Sequence, residues 1–209
     1  MDSQEFVQLT GIVVISSVVL AFATTLSNKG ATLAALLSFL IIIVVNILAK
    51  KISGGFFDVD VKTKFWTFSQ FGFRSDMRLK QPIPMIWLPL LVSLFSWGAF
   101  WWLAVLEFDV APKPERASRR HGIYRFTQVT EWHIAWIALW GIIANVVLAI
   151  AGYLAGFGMF ARFSLYFAIW SIVPFSSLDG SKIFFGSRGL WAAAASVLGI
   201  LFVWSHLVI

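Results

Sequence analysis

The chain is dominated by long apolar runs, and two of them, Phe6–Leu26 and Ala31–Ala49, are almost uninterrupted aliphatic sequence. A run of about 20 such residues is what a helix needs to cross a hydrocarbon layer of about 30 Å. Composition agrees: 59% of the 209 residues are hydrophobic and 12% are charged, roughly half the charged fraction of an average soluble domain. The pattern predicts an integral membrane protein and excludes a soluble globular enzyme. The net charge of +6 fits basic loops that meet lipid headgroups, and no nucleic-acid partner is expected.

The hydropathy pattern predicts an all-α polytopic membrane protein, a single domain over residues 1–209, with about six transmembrane or half-membrane helices. These are Phe6–Leu26, Ala31–Ala49, Pro84–Leu106, Trp132–Leu154, Phe160–Val173 and Leu190–Ile209. The second is stopped by Lys50-Lys51, Pro89 is placed to kink the start of the third, and the fifth is short and closed by Pro174. Between the second and third, alternation around Phe56–Trp66 predicts a short membrane-associated β-ribbon. The segment Glu107–Gln128, with its prolines and arginines, reads as a solvated basic loop. Lys and Arg divide evenly between the two sides of a six-pass topology, so charge bias assigns no orientation.

Cysteine is absent, which removes disulfides, thiolate metal sites and a Cys nucleophile. The three histidines, His121, His133 and His206, are far apart in sequence. Glu131 and His133 lie two positions apart, about 200° around a helix, and would not converge on one ion. Ser176, Ser177 and Ser181 have no histidine placed to activate them, and no phosphate-binding Gly-rich loop is present. Two polar segments stand out in apolar surroundings. One is Gly141-Ile142-Ile143-Ala144-Asn145 within the fourth helix, and the other is Pro174-Phe175-Ser176-Ser177-Leu178-Asp179-Gly180-Ser181-Lys182 after the fifth. Asp179 in such a place needs a partner, and Asn145 can hydrogen-bond across a helix interface. The plain alternatives are a capped turn and small-residue helix packing.

Taken together, these segments resemble the paired signatures of the site-2 protease family, the intramembrane zinc metalloproteases. That family carries an H-E-x-x-H helix, a membrane-associated ribbon, a G-P-x-x-N helix, and N-x-x-P-x-x-x-L-D-G, whose Asp is the third zinc ligand. The residues of this chain that match are Gly141, Asn145, Pro174, Leu178, Asp179 and Gly180, and the stretch Leu178–Arg188 is similar to archaeal-type members. The resemblance covers about residues 35–190 and implies a multi-pass protein of a prokaryotic cell membrane.

The same resemblance places the catalytic helix at Val45–Lys51, and there the sequence departs from it. Asn46 and Lys50 stand where the family has its zinc histidines, and Ile47 stands where it has its general-base glutamate. The spacing i, i+4 would put two imidazoles on one helix face, but an amide and a cation do not grip zinc, and Ile47 carries no proton. Ser171 and Ile142 replace the Asn and Pro of the other two motifs. The expectation is therefore a catalytically inactive member, with no cofactor and Asp179 as the sole remaining ligand. Its role would be scaffold, substrate-helix binder or accessory subunit, partnered by the bilayer and by another membrane protein or transmembrane helix. A Lys50–Asp179 ion pair is expected to stand in for the metal. The rivals are an active zinc protease with unorthodox ligands and a transporter or channel component with a polar path past Asp179.

Overall fold

The computed structural model describes Thr10, Gly11, Val14 and residues 29–70, 78–97, 102–103, 105–114, 120–121, 124–125 and 129–208. The expected first helix lies almost wholly outside these residues. In chain order the elements are α1 (Lys29–Phe56), β1 (Val59–Phe65), β2 (Thr67–Gln70), β3 (Arg78–Pro84), a 3-10 turn (Met85–Trp87) and α2 (Leu88–Phe95). They continue with β4 (Leu106–Pro112), β5 (Arg120–His121), β6 (Tyr124–Arg125), α3 (Glu131–Leu154), α4 (Gly158–Ile172), α5 (Asp179–Gly186) and α6 (Arg188–Val208).

Three of the described helices are long and apolar enough to cross a membrane, over Leu33–Phe56, Glu131–Leu154 and Arg188–Leu207, which marks the chain as a membrane protein. This is fewer than the six expected. α4, with 15 residues, is an apolar helix of about 22 Å and falls short of the hydrocarbon thickness. Thr130 caps α3 by accepting from the His133 backbone N–H, and Glu131 in the first turn suits the positive end of the helix.

Three expectations are corrected. α1 does not stop at Lys50-Lys51 but runs on to Phe56, because Lys50 points inward and is buried. Among the described residues, the expected third helix over Pro84–Leu106 does not form a span. Pro89 sits in the first turn of the eight-residue α2, Trp97 takes a left-handed φ of 51°, and β4 begins at Leu106. Just before β4, Val105 O accepts from Trp66 N–H, which ties Val105 to the strands. Finally, the segment read as a solvated loop opens with β4, whose Glu107 and Phe108 are buried.

The ribbon is therefore more than a local hairpin. β1 pairs antiparallel with β4 from Val59↔Pro112 to Phe65↔Leu106, across more than forty residues of sequence, while β2 pairs with β3. Val59, Val61 and Phe108 pack into a cluster with Ile137, Ile142, Leu165 and Ile183, so the strands are fastened to α3, α4 and α5. A second cluster joins Phe39, Ile42, Ile43 and Ile47 of α1 to Phe163 and Phe167 of α4. α1 and α3 run antiparallel, since the Phe57 ring at the end of α1 lies 4.9 Å from the His133 ring at the start of α3.

Candidate functional site

On α1, Asn46 and Lys50 are one turn apart and project from one face, and both are fully buried. They can sit so close to α3 because that helix has glycine opposite them. A Cβ on Gly141 would lie 2.6 Å from Lys50 Cε and 2.9 Å from Asn46 Nδ2, so any larger residue would force those two side chains to shift. Asn145, one turn further along α3, is also fully buried.

The fourth group arrives from a tightly constrained turn. α4 ends at Ile172, Val173 is extended, Pro174 follows, and Ser176 takes a positive φ of 51°. Ser177 Oγ donates to Thr67 O of β2, and Leu178 buries itself between Trp66 and Phe68. Gly180 completes the approach: a Cβ there would stand 2.0 Å from the Ile172 carbonyl oxygen and 2.5 Å from that of Val173. The turn thus folds back against the end of α4 and starts α5 with Asp179 in its first turn, where the helix dipole favours a carboxylate.

Lys50 Nζ donates to Asp179 Oδ2 at 2.6 Å, with the side chains 1% and 3% exposed. The two residues are 129 positions apart, and they form a charge-assisted hydrogen bond in the protein interior. Around this pair the polar groups are poorly satisfied. Asp179 Oδ1 and both side-chain atoms of Asn46 and Asn145 are buried without a hydrogen-bond partner, although the Asn145 backbone carbonyl accepts from Ser164 Oγ at 2.8 Å.

Two residues of this site were given no role in the sequence reading, Phe108 and Lys182. The Phe108 ring is near two ammonium groups, 5.0 Å from Lys50 Nζ and 3.7 Å from Lys182 Nζ. Lys182 also donates to the Phe108 carbonyl oxygen, joining α5 to β4. Burial disfavours its ammonium and lowers its pKa to about 8, against the pull of Asp179 and Glu107. The available signals were the alternation of Leu106–Val110 and the three-residue spacing of Asp179 and Lys182, which puts both on one helix face.

The other residues singled out in the sequence fall elsewhere. Ile47 is buried in the apolar cluster with Phe39 and Phe163. His133 Nδ1 lies 2.6 Å from Thr130 Oγ1 at the start of α3. His206 sits against Tyr166 and Phe202 near the end of α6. The side chain of His121 is outside the described residues, among which no three His, Cys, Asp or Glu side chains converge.

These donors do not fit a divalent metal. One Asp179 oxygen already accepts from an ammonium, the α1 face opposite offers an amide and that same ammonium, and a second ammonium, that of Lys182, lies 3.7 Å from the Phe108 ring. What the arrangement does is neutralise a buried carboxylate and hold α1, β4 and α5 together. The chain matches no family model, no curated protein and no solved structure.

Proposed function

We propose that this chain is a catalytically inactive, site-2-protease-like protein of the cell membrane, crossing it several times. It would act as a scaffold, a binder of a transmembrane helix or an accessory subunit of a membrane complex. The observation that supports this most is the buried Lys50–Asp179 pair. In the family that the motifs resemble, the Asp of L-D-G and two residues at i, i+4 hold zinc. Here the matching positions are Asp179, Asn46 and Lys50, and they converge with a cation supplied by the chain itself. An ammonium cannot polarise a peptide carbonyl as a metal does or generate a metal hydroxide, and Ile47 cannot shuttle a proton. A binding role needs only the fold and polar groups that meet backbone.

The test is zinc stoichiometry of the detergent-purified protein by elemental mass spectrometry, with Asp179→Ala prepared identically. The expected result is near-zero zinc in both. About one zinc per chain, lost in Asp179→Ala, would overturn the reading in favour of a metalloprotease with other ligands. The transport reading requires solvent to reach Asp179 from one side, and the burial of both members of the pair weighs against it.

A further inference from the structure

α1 and α3 meet closely at Gly141 and leave a groove between them along one side. Its floor is made by Val45, Ala49 and Ser53 of α1 and by Ile143 and Ala144 of α3, all buried or half-buried. Its rim is made by Ile52, Phe56, Trp140 and Val147, which are 47% to 83% exposed. The sequence produces this relief locally. Ala49 and Ser53 stand one turn apart on α1 and face Ala144 on α3, so small side chains lie sunk between large ones. The cavity holds about 440 Å³, within the roughly 300–1,000 Å³ of small-molecule sites.

Depth, chemistry and shape together select the occupant. Both walls belong to helices long and apolar enough to cross, Leu33–Phe56 and Glu131–Leu154, so the groove between them opens at hydrocarbon depth. The one hydroxyl on its floor, Ser53 Oγ, already donates to Lys50 O at 3.0 Å, and the rest of the floor is aliphatic. A ligand without polar atoms is therefore sufficient. A helix, about 10–12 Å across with its side chains, would rest on Trp140, Phe56 and the rest of the rim without reaching Ala49 or Ala144. A single hydrocarbon chain is thin enough to reach the floor. Inside a bilayer its gain is packing, because an unfilled groove leaves its lining atoms without neighbours on one side.

We propose that the α1–α3 groove is a binding site for one acyl chain of a membrane lipid, seated on Ala49, Ser53 and Ala144 and flanked by Trp140 and Phe56. The bound chain completes the packing of the two spans on the side away from solvent-exposed strands, and the site does not depend on how the buried ion pair is read.

The test uses the full chain in phosphatidylcholine–phosphatidylglycerol vesicles doped with phosphatidylcholine that carries a diazirine midway along one acyl chain. After illumination, adducts are mapped by peptide mass spectrometry. Val44 and Leu48, exposed on α1 at the same depth as Val45 and Ala49, serve as the internal reference. Adducts are expected to concentrate on Ala49, Ser53 and Ala144 over Val44 and Leu48, and to saturate as the labelled lipid is increased. Ala49→Phe and Ala144→Phe fill the floor from opposite walls, and each should lose the groove adducts while those at Val44 and Leu48 persist. The ratio in the parent protein is decisive by itself, so a variant that fails to fold leaves the test intact. Equal, unsaturable yields at the groove and at Val44 and Leu48 would overturn the proposal, since they describe passing contact with bulk lipid. So would adducts at Val44 and Leu48 with none in the groove, which would mean that protein covers it.

Discussion

Two lysine–carboxylate contacts lie on opposite sides of β4, and they differ in almost everything but chemistry. Lys50 and Asp179 meet at 2.6 Å with side chains 1% and 3% exposed, whereas Lys64 meets Asp109 at 2.8 Å with side chains 38% and 62% exposed. Distance alone would rank them as near equals. Burial separates them, because removing one member of a buried pair strands a charge in a low-dielectric interior, while an exposed partner simply returns to water. The inner pair locks α1 to α5, and the outer one decorates a ribbon already paired through its backbone.

The largest expected effect comes from breaking the inner pair on one side only. Lys50→Met should lose about 3–5 kcal/mol in denaturant unfolding from mixed micelles, with Lys51→Met losing well under half of that. Equal losses would erase the distinction drawn between the two neighbouring lysines. Next comes the pH dependence of Lys182. Its folded pKa is about 8 against 10.5 unfolded, so below pH 8 the folded state carries the cost of holding a part-buried ammonium. Between pH 8 and 10.5 the unfolded chain holds more protons, and stability should rise by roughly 3 kcal/mol, a rise absent from Lys182→Met.

A smaller effect is expected from Gly141→Ala, whose Cβ meets Lys50 Cε and Asn46 Nδ2. It should cost about 1–3 kcal/mol through overpacking and should do so less in a Lys50→Ala background, where room has been made. The smallest belongs to the outer pair. Lys64→Met should change stability by at most about 0.5 kcal/mol at low salt and by nothing measurable at 1 M salt. Burial alone would lower the Lys64 pKa, but the hydrogen bond to Asp109 and the charge of Glu107 raise it above its usual 10.5. Its small contribution is thus present below pH 10.5 and lost above, opposite in sign to Lys182.

Much of the inner site was legible in the sequence, and for a physical reason. A lone Asp179 beside Pro174 and Gly180 in apolar sequence demands a partner, and it was the resemblance to the site-2 protease motifs that pointed to Asn46 and Lys50, one turn apart on one helix face, as the groups opposite it. Lys50 was the one cation on that face of α1. The sequence misled where composition and geometry diverge. Pro84–Leu106 has the hydropathy of a span, yet the left-handed Trp97 and the Trp66–Val105 backbone bond make it a short helix followed by a strand. Lys50-Lys51 looked like a helix stop because hydropathy treats every lysine as solvated, and only tertiary packing against Gly141 tells the buried one from its neighbour. Phe108 and Lys182 were missed for the same reason, since their meeting depends on the long-range pairing of β1 with β4.

The central claim, that Lys50 and Asp179 neutralise each other and together hold the interior of this fold, is tested most directly by a double-mutant cycle. Stability would be measured for the parent, Lys50→Met, Asp179→Leu and the double variant under one set of conditions. The account predicts that each single variant is strongly destabilised and that the double variant recovers most of the loss, with a coupling of at least about 2 kcal/mol. Additive losses with no coupling would contradict it.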